Sequence, residues 1–266
     1  MVFPAYIWIL CLAALLISSI GFKKYVWFIS LGYGFSIAGE GLLMLILFGI
    51  DGKLTAGTVL CCAVMIMYGM RLGGYLAYRE IKSASYSKNM TGEIKETVPF
   101  GVKIAIWITC ALLYVLQVLP VFYRFSNDSG SNAWTYIGAA IMFCGMSLET
   151  AADYQKNMAK RKNPKRFVDT GLYRVVRCPN YFGEMLFWTG VFLSGIGAVT
   201  GWQWLLTSLG YVGIIYVMFS GARRLEIRQN KNYGNDPEYQ EYVRTVPIMV
   251  PLIPLYSVEK HKWLVA

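Results

Sequence analysis

The chain has 266 residues, 56% of them hydrophobic and only 15% charged, with a formal net charge of +10 and a mean hydropathy of +0.45. A soluble globular domain carries about 25% charged residues, so a water-soluble fold is excluded, and the cations need no nucleic acid to explain them in a chain that meets anionic lipid. Six cysteines without a CxxC pair and a lone histidine, His261, argue against a zinc site, a disulfide framework and histidine catalysis.

Apolar runs close to the ~20 residues that span a bilayer recur along the chain. They predict seven transmembrane helices: Val2–Phe22, Tyr25–Ile50, Leu54–Tyr78, Phe100–Phe125, Ala133–Ala152, Tyr181–Thr200 and Trp202–Ala222. The first is too long for a cleaved signal peptide and has no basic region before it, so it is expected to remain as a helix. The second carries Glu40 near its middle, with Ser36 and Tyr33 on the same face at helical spacing. The third carries Tyr68, Arg71, Tyr75 and Arg79 as one polar stripe. The fifth ends in Glu149 and Asp153, followed on that face by Lys156 and Lys160.

The sixth opens on the most informative stretch, GLYRVVRCPNYFGE from Gly171 to Glu184, where a basic loop meets an apolar run. Proline favours the first helical position, so Pro179 is expected to start the helix. Asn180 and Glu184 are then four apart and share a face. An amide, a carboxylate and bare N–H donors suit a ligand with phosphates and hydrogen-bonding rings. Polar side chains at such depths are costly and usually functional. The structural alternative is a set of ion pairs that lock helices together, Glu40 with Arg71 for example.

Basic residues set the orientation. The first, third and fifth loops and the tail hold 2, 4, 8 and 7 cations, against Lys53 and Arg124 on the alternate side. The positive-inside rule then places the N-terminus outside and the tail in the cytosol. The 4 of the third loop run from Arg79 to Lys95. Two glycosylation sequons occur. The one at Asn89 falls on the cytosolic side as a chance match, and the one at Asn127 falls outside, usable only in a eukaryotic secretory membrane. The chain thus reads as an all-α integral membrane protein of either a bacterial inner membrane or the endoplasmic reticulum, one domain over 1–266. Its basic cytosolic cap is formed by Ser83–Pro99, Lys156–Pro179 and Arg223–Ala266.

The segment LETAADYQKNMAKRKNPKRFVDTGLYRVVRCPNYFGE from Leu148, with the tail ARRLEIRQNKNYGNDPEYQEYVRTVPIMVP, resembles the C-terminal half of the steroid 5α-reductases and their bacterial relatives. The resemblance covers roughly Glu149 to Pro254 and makes 148–254 the cofactor-binding half, with a weaker match at Tyr68–Arg79. It implies a seven-helix fold that reduces the double bond conjugated to a 3-oxo steroid with hydride from NADPH. Carried over by residue, it implies that Asn180 and Glu184 hold the nicotinamide end. It further implies that Asp153, Lys160 and Arg166 lie along ribose and phosphates, that Arg79 and Arg224 close over the cofactor, and that Arg177 is a further cofactor-binding residue. Tyr68 matches the tyrosine that hydrogen-bonds the 3-oxo group, and Glu40 is the candidate acid beside it. Where family members often carry histidine, this chain has Cys178 before the proline and Arg223 and Arg224 after the last helix. Glu149 stands at a position often taken by asparagine.

The chemistry suits these side chains. Hydride addition to the β-carbon of an enone places negative charge on the carbonyl oxygen, and a donor aimed at that oxygen stabilises the enolate. Tyr68 donates as a phenol, and Glu40 donates only when protonated. No GxGxxG follows a strand, so a Rossmann site is excluded. Two other readings stay open: a membrane methyltransferase of the isoprenylcysteine carboxyl type using S-adenosylmethionine, and a non-catalytic sterol-binding protein.

Overall fold

The structure, a computed structural model, describes residues 4–82 and 98–265. The loop cations Lys88 and Lys95, the Asn89 sequon and most of the expected cap segment 83–99 lie outside the described residues. What is described is all-helical, with no strand. The helices are α1 (Ala5–Ser18), α2 (Leu31–Ile50), α3 (Ala56–Lys82), α4 (Phe100–Ser126), α5 (Ala133–Lys162), α6 (Pro179–Ser194), α7 (Gln203–Tyr233) and α8 (Pro237–Thr245).

Among the described residues, five stretches are long and apolar enough to cross a membrane: Ala5–Phe22, Tyr25–Ile50, Ala56–Lys82, Phe100–Ser126 and Gln203–Tyr233. They are consistent with a multi-pass membrane protein. The other two expected spans also form helices but fall short of that standard. The 30 residues of α5 end in a charged run, and the 16 of α6 reach about 24 Å at 1.5 Å per residue, less than the ~30 Å hydrocarbon core.

The chain divides into two compact units, Met1–Ala139 with Val191–Tyr211, and Ala140–Gly190 with Val212–Ala266. In the first, α2 and α3 pack backbone to backbone. A Cβ on Gly34 would stand 2.6 Å from the Gly73 nitrogen, and one on Gly69 would stand 2.3 Å from the Gly34 oxygen. Only glycine allows this approach. Phe48 of α2 stacks on Phe125 of α4 with ring centroids 4.7 Å apart. Arg124, expected from the sequence to be a loop cation, is buried and fans its guanidinium over three carbonyls, those of Ser194 (2.8 Å), Gly130 (2.7 Å) and Ile196 (2.8 Å).

In the second unit, Gly145 of α5 and Gly183 of α6 make a similar contact, a Cβ on either lying within 2.7 Å of the other's carbonyl oxygen. The segment after α5 is fastened to α8 by aromatics: Phe167 packs on Tyr239 and Tyr242, and the Tyr242 hydroxyl donates to the Tyr173 carbonyl at 2.7 Å. Asp236 caps α8 by accepting from the Glu238 N–H at 2.9 Å, with Pro237 in the first turn. The tail returns to the foot of α6, where the Arg177 and Cys178 N–H groups donate to the Pro247 and Ile248 carbonyls, each at 2.9 Å.

Candidate functional site

The candidate residues fall into both units. In the first, Glu40 and Tyr68 are completely buried. The glycine contacts fix their relative depth: Gly41 meets Cys62 while Gly34 meets Gly69 and Gly73, so α2 and α3 run antiparallel. That register places Glu40 opposite Ala63 to Met67, within about one helical turn of Tyr68. The Tyr68 hydroxyl shares a hydrogen bond with Tyr33 at 3.2 Å, and Tyr33 packs against Tyr114 of α4, centroids 5.3 Å apart.

Glu40 behaves differently. Neither carboxyl oxygen has a hydrogen-bond partner among the described residues, and the ion pair with Arg71 weighed as its structural role is not formed. Cys11 of α1 and Tyr114 of α4 lie within electrostatic reach of it. Ser36, one turn away on the same face, is also buried with its hydroxyl unpartnered. An unpaired buried polar group costs roughly 1–3 kcal/mol, so packing alone does not account for these side chains. At the far end of α3, Tyr75 lies between two guanidinium groups, Arg71 at 5.9 Å and Arg79 at 5.4 Å from its ring centre.

In the second unit, α6 starts at Pro179 as expected. Asn180 is half-buried with no hydrogen bond from its amide to a described residue. Glu184, one turn on, is buried. Tyr181 between them packs over Gly221 of α7 and lies within electrostatic reach of Glu184, Arg224 and Arg228. Arg224 and Arg228 are exposed and make no hydrogen bond or ion pair with another described residue. Asp153 is half-buried on α5.

Arg177 is buried, its Nη2 pairing with Glu226 at 3.0 Å and donating to the Tyr256 carbonyl. Its Nε and Nη1 are buried without a hydrogen-bond partner among the described residues. The structure thus brings Arg177, Asn180, Glu184 and Arg224 to the foot of α6 and the adjoining turn of α7. It does not bring Lys160 and Arg166 there. Lys160 donates to the Pro164 and Arg166 carbonyls and to Tyr233 (2.9 Å), while Arg166 pairs with Glu238 (2.6 Å) and Asp169 (2.9 Å). Both are occupied: Lys160 ties the loop after α5 to the end of α7, and Arg166 ties it to α8. Arg223 is occupied too, donating to the Glu259 and Leu264 carbonyls of the tail at 2.9 and 3.0 Å.

Sequence reasoning missed two residues. Arg228 lies one turn beyond Arg224, a spacing that was legible. Gln117 of α4 is buried with neither end of its amide hydrogen-bonded among the described residues, and its signal was being the only amide in the fourth apolar run.

The family model described as "Protein of unknown function (DUF1295)" matches residues 21–246, and the chain belongs to that family. No curated protein and no solved structure matches the chain.

Proposed function

We propose that this chain is an NADPH-dependent membrane reductase, steroid 5α-reductase-like, acting on the C=C bond of a 3-oxo-4-ene steroid or a similar enone lipid. In this reading it crosses the membrane seven times, with its N-terminus outside and its basic cap in the cytosol. The observation that carries the proposal is Glu40, a completely buried carboxyl with no hydrogen-bond partner among the described residues, within about one helical turn in depth of the buried Tyr68. Two oxygen-borne donors in an apolar interior suit one polar atom on an otherwise apolar molecule, which is what an enone lipid presents.

On this reading Tyr68 and protonated Glu40 hold the carbonyl oxygen and stabilise the negative charge that develops on it. Tyr33, hydrogen-bonded to Tyr68, fixes the direction of the phenol. Burial of the pair keeps water from competing for the oxygen. The residues at the foot of α6 fit a dinucleotide. Asn180 and Glu184 offer an amide and a carboxylate to a ring amide, and Arg224, Arg228 and the two unpartnered nitrogens of Arg177 offer cations to phosphates. NADPH, when bound, would supply the hydride. Lys160 and Arg166 are left out of this set because their donors are already used.

The test is thermal stabilisation of the detergent-solubilised full chain by NADPH, NADH and S-adenosylmethionine in parallel. Stabilisation by NADPH ahead of NADH, followed by consumption of a 3-oxo-4-ene steroid, is expected. Stabilisation by S-adenosylmethionine alone would transfer the site to a methyltransferase, and a response only to sterol would leave a binding protein.

A further inference from the structure

The tail after α8 carries apolar side chains on its outside, and their placement follows from α7. Exposed apolar residues of α7, Leu205, Leu209, Val212 and Tyr216, recur at steps of four, three and four, a stripe for lipid rather than for core. The first cation of α7 is Arg223, seven residues or about 10 Å beyond Tyr216. Tyr216 therefore lies on the membrane side of the charged end.

Trp263 rests on that tyrosine. The Tyr216 hydroxyl donates to the Trp263 carbonyl at 2.9 Å and accepts from the Val265 N–H at 3.3 Å, and the two rings stand 6.1 Å apart. The tail is held in place from within: Val258 and Leu264 are buried, the Val258 N–H donates to Glu226 at 2.8 Å, and Arg223 holds two tail carbonyls. Yet Trp263 is 67% exposed and Val265 71%. Lys260, His261 and Lys262, immediately before them, are exposed too.

A second apolar point lies upstream. The Ile248 N–H donates to the Leu255 carbonyl at 2.8 Å and closes a loop whose tip is Leu252, 99% exposed, and Ile253. The Leu252 φ of +65° is a conformation that costs an L-residue about 1–2 kcal/mol. This loop starts at the foot of α6, where Ile248 accepts from Cys178.

We propose that segment 248–265 is an interfacial membrane anchor. Trp263, Val265, Leu252 and Ile253 enter the boundary between headgroups and acyl chains, while Lys260 and Lys262 meet anionic headgroups of the same leaflet. Tryptophan and tyrosine favour that boundary because their rings are apolar and their edges polar. Lysine keeps its charge among the headgroups while its stem lies along apolar surface. The occupant is lipid because the tail continues the lipid-facing stripe of a membrane-crossing helix and places cations beside it. The inference needs only a membrane-embedded α7 and is independent of the reductase reading.

The test uses the full chain in lipid nanodiscs containing phosphatidylserine. Tryptophan emission of the parent and of Trp263→Phe is compared with phosphatidylcholine brominated either high on the acyl chain or near its end. The emission lost with Trp263 should be quenched strongly by shallow bromines, weakly by deep ones, and little by aqueous acrylamide. Trypsin should cut after Lys260 and Lys262 several-fold faster in Trp263→Ser and in Leu252→Ser than in the parent. Emission open to acrylamide and blind to bromine would overturn the anchor. So would parental cleavage rates in both serine variants, or shielding seen only with two copies per disc, which would make the surface a contact between chains.

Discussion

The ion pair between Arg177 and Glu226 offers the sharpest quantitative test of how the cap is held. Both side chains are about 1% exposed and their charged atoms are 3.0 Å apart. Removing one partner leaves the other buried and uncompensated, a loss of about 3–5 kcal/mol. Arg177→Met and Glu226→Leu should therefore each destabilise by that amount. The double variant buries no orphan charge. It forfeits mainly the ties to the Tyr256 carbonyl and the Val258 N–H, about 1 kcal/mol each. The double variant should thus be more stable than either single variant, with a coupling energy of at least about 4 kcal/mol. Thermal unfolding of purified protein in one detergent, all four corners of the cycle in parallel, measures this. If the two single losses add to within about 0.5 kcal/mol, the pair is not a closed unit and the account of the cap fails.

Further expectations concern other parts of the molecule. Tyr68→Phe and Glu40→Gln should retain NADPH binding and lose most enone reduction, mainly in kcat, with Glu40→Leu worse than Glu40→Gln; parental turnover in both conservative variants would remove the pair from the active site. Asn180→Ala and Glu184→Ala should weaken NADPH binding while leaving the protein folded, and Lys160→Ala should leave affinity unchanged; calorimetric titration decides. Arg124→Lys should lose stability almost as Arg124→Ala does, about 3–5 kcal/mol, because one ammonium cannot reproduce a planar fork on three carbonyls; a lysine variant as stable as the parent would count against this. Burial pushes the Cys178 thiol up to about 11, so at pH 8 about one in a thousand is thiolate, and maleimide should label it only after unfolding.

Much of this was legible because polar residues inside apolar runs are conspicuous. Glu40, Tyr68, Asn180 and Glu184 stood out against their own helices, and Pro179 marked where α6 begins. Their near depth also followed from the short connection between α2 and α3. What was illegible depends on partners remote in the chain. Lys160 and Arg166 looked like phosphate ligands in a basic loop, but Tyr233 and Glu238, some seventy positions away, occupy them. Arg124 read as a charge beside the membrane, and nothing local announced that three carbonyls from two segments, Gly130 and Ser194 with Ile196, would converge on it. The glycine contacts were hidden for the same reason, since a close approach is a property of two helices.

That approach between α2 and α3 has a mechanical consequence. Helices separated by side chains can slide, because rotamers give way; helices whose backbones touch at Gly34, Gly69 and Gly73 have no such cushion. Displacement of either by one residue would drive Ala38, already against the Gly69 position, into main-chain atoms. The spacing of Glu40 and Tyr68 is therefore set when the chain folds and is not adjusted when a ligand arrives. By contrast, α1 and α4 meet α2 through the side chains of Ile17 and Tyr114, contacts in which rotamers can give way. On the proposed reading, the α2–α3 pair is the rigid wall of the substrate site.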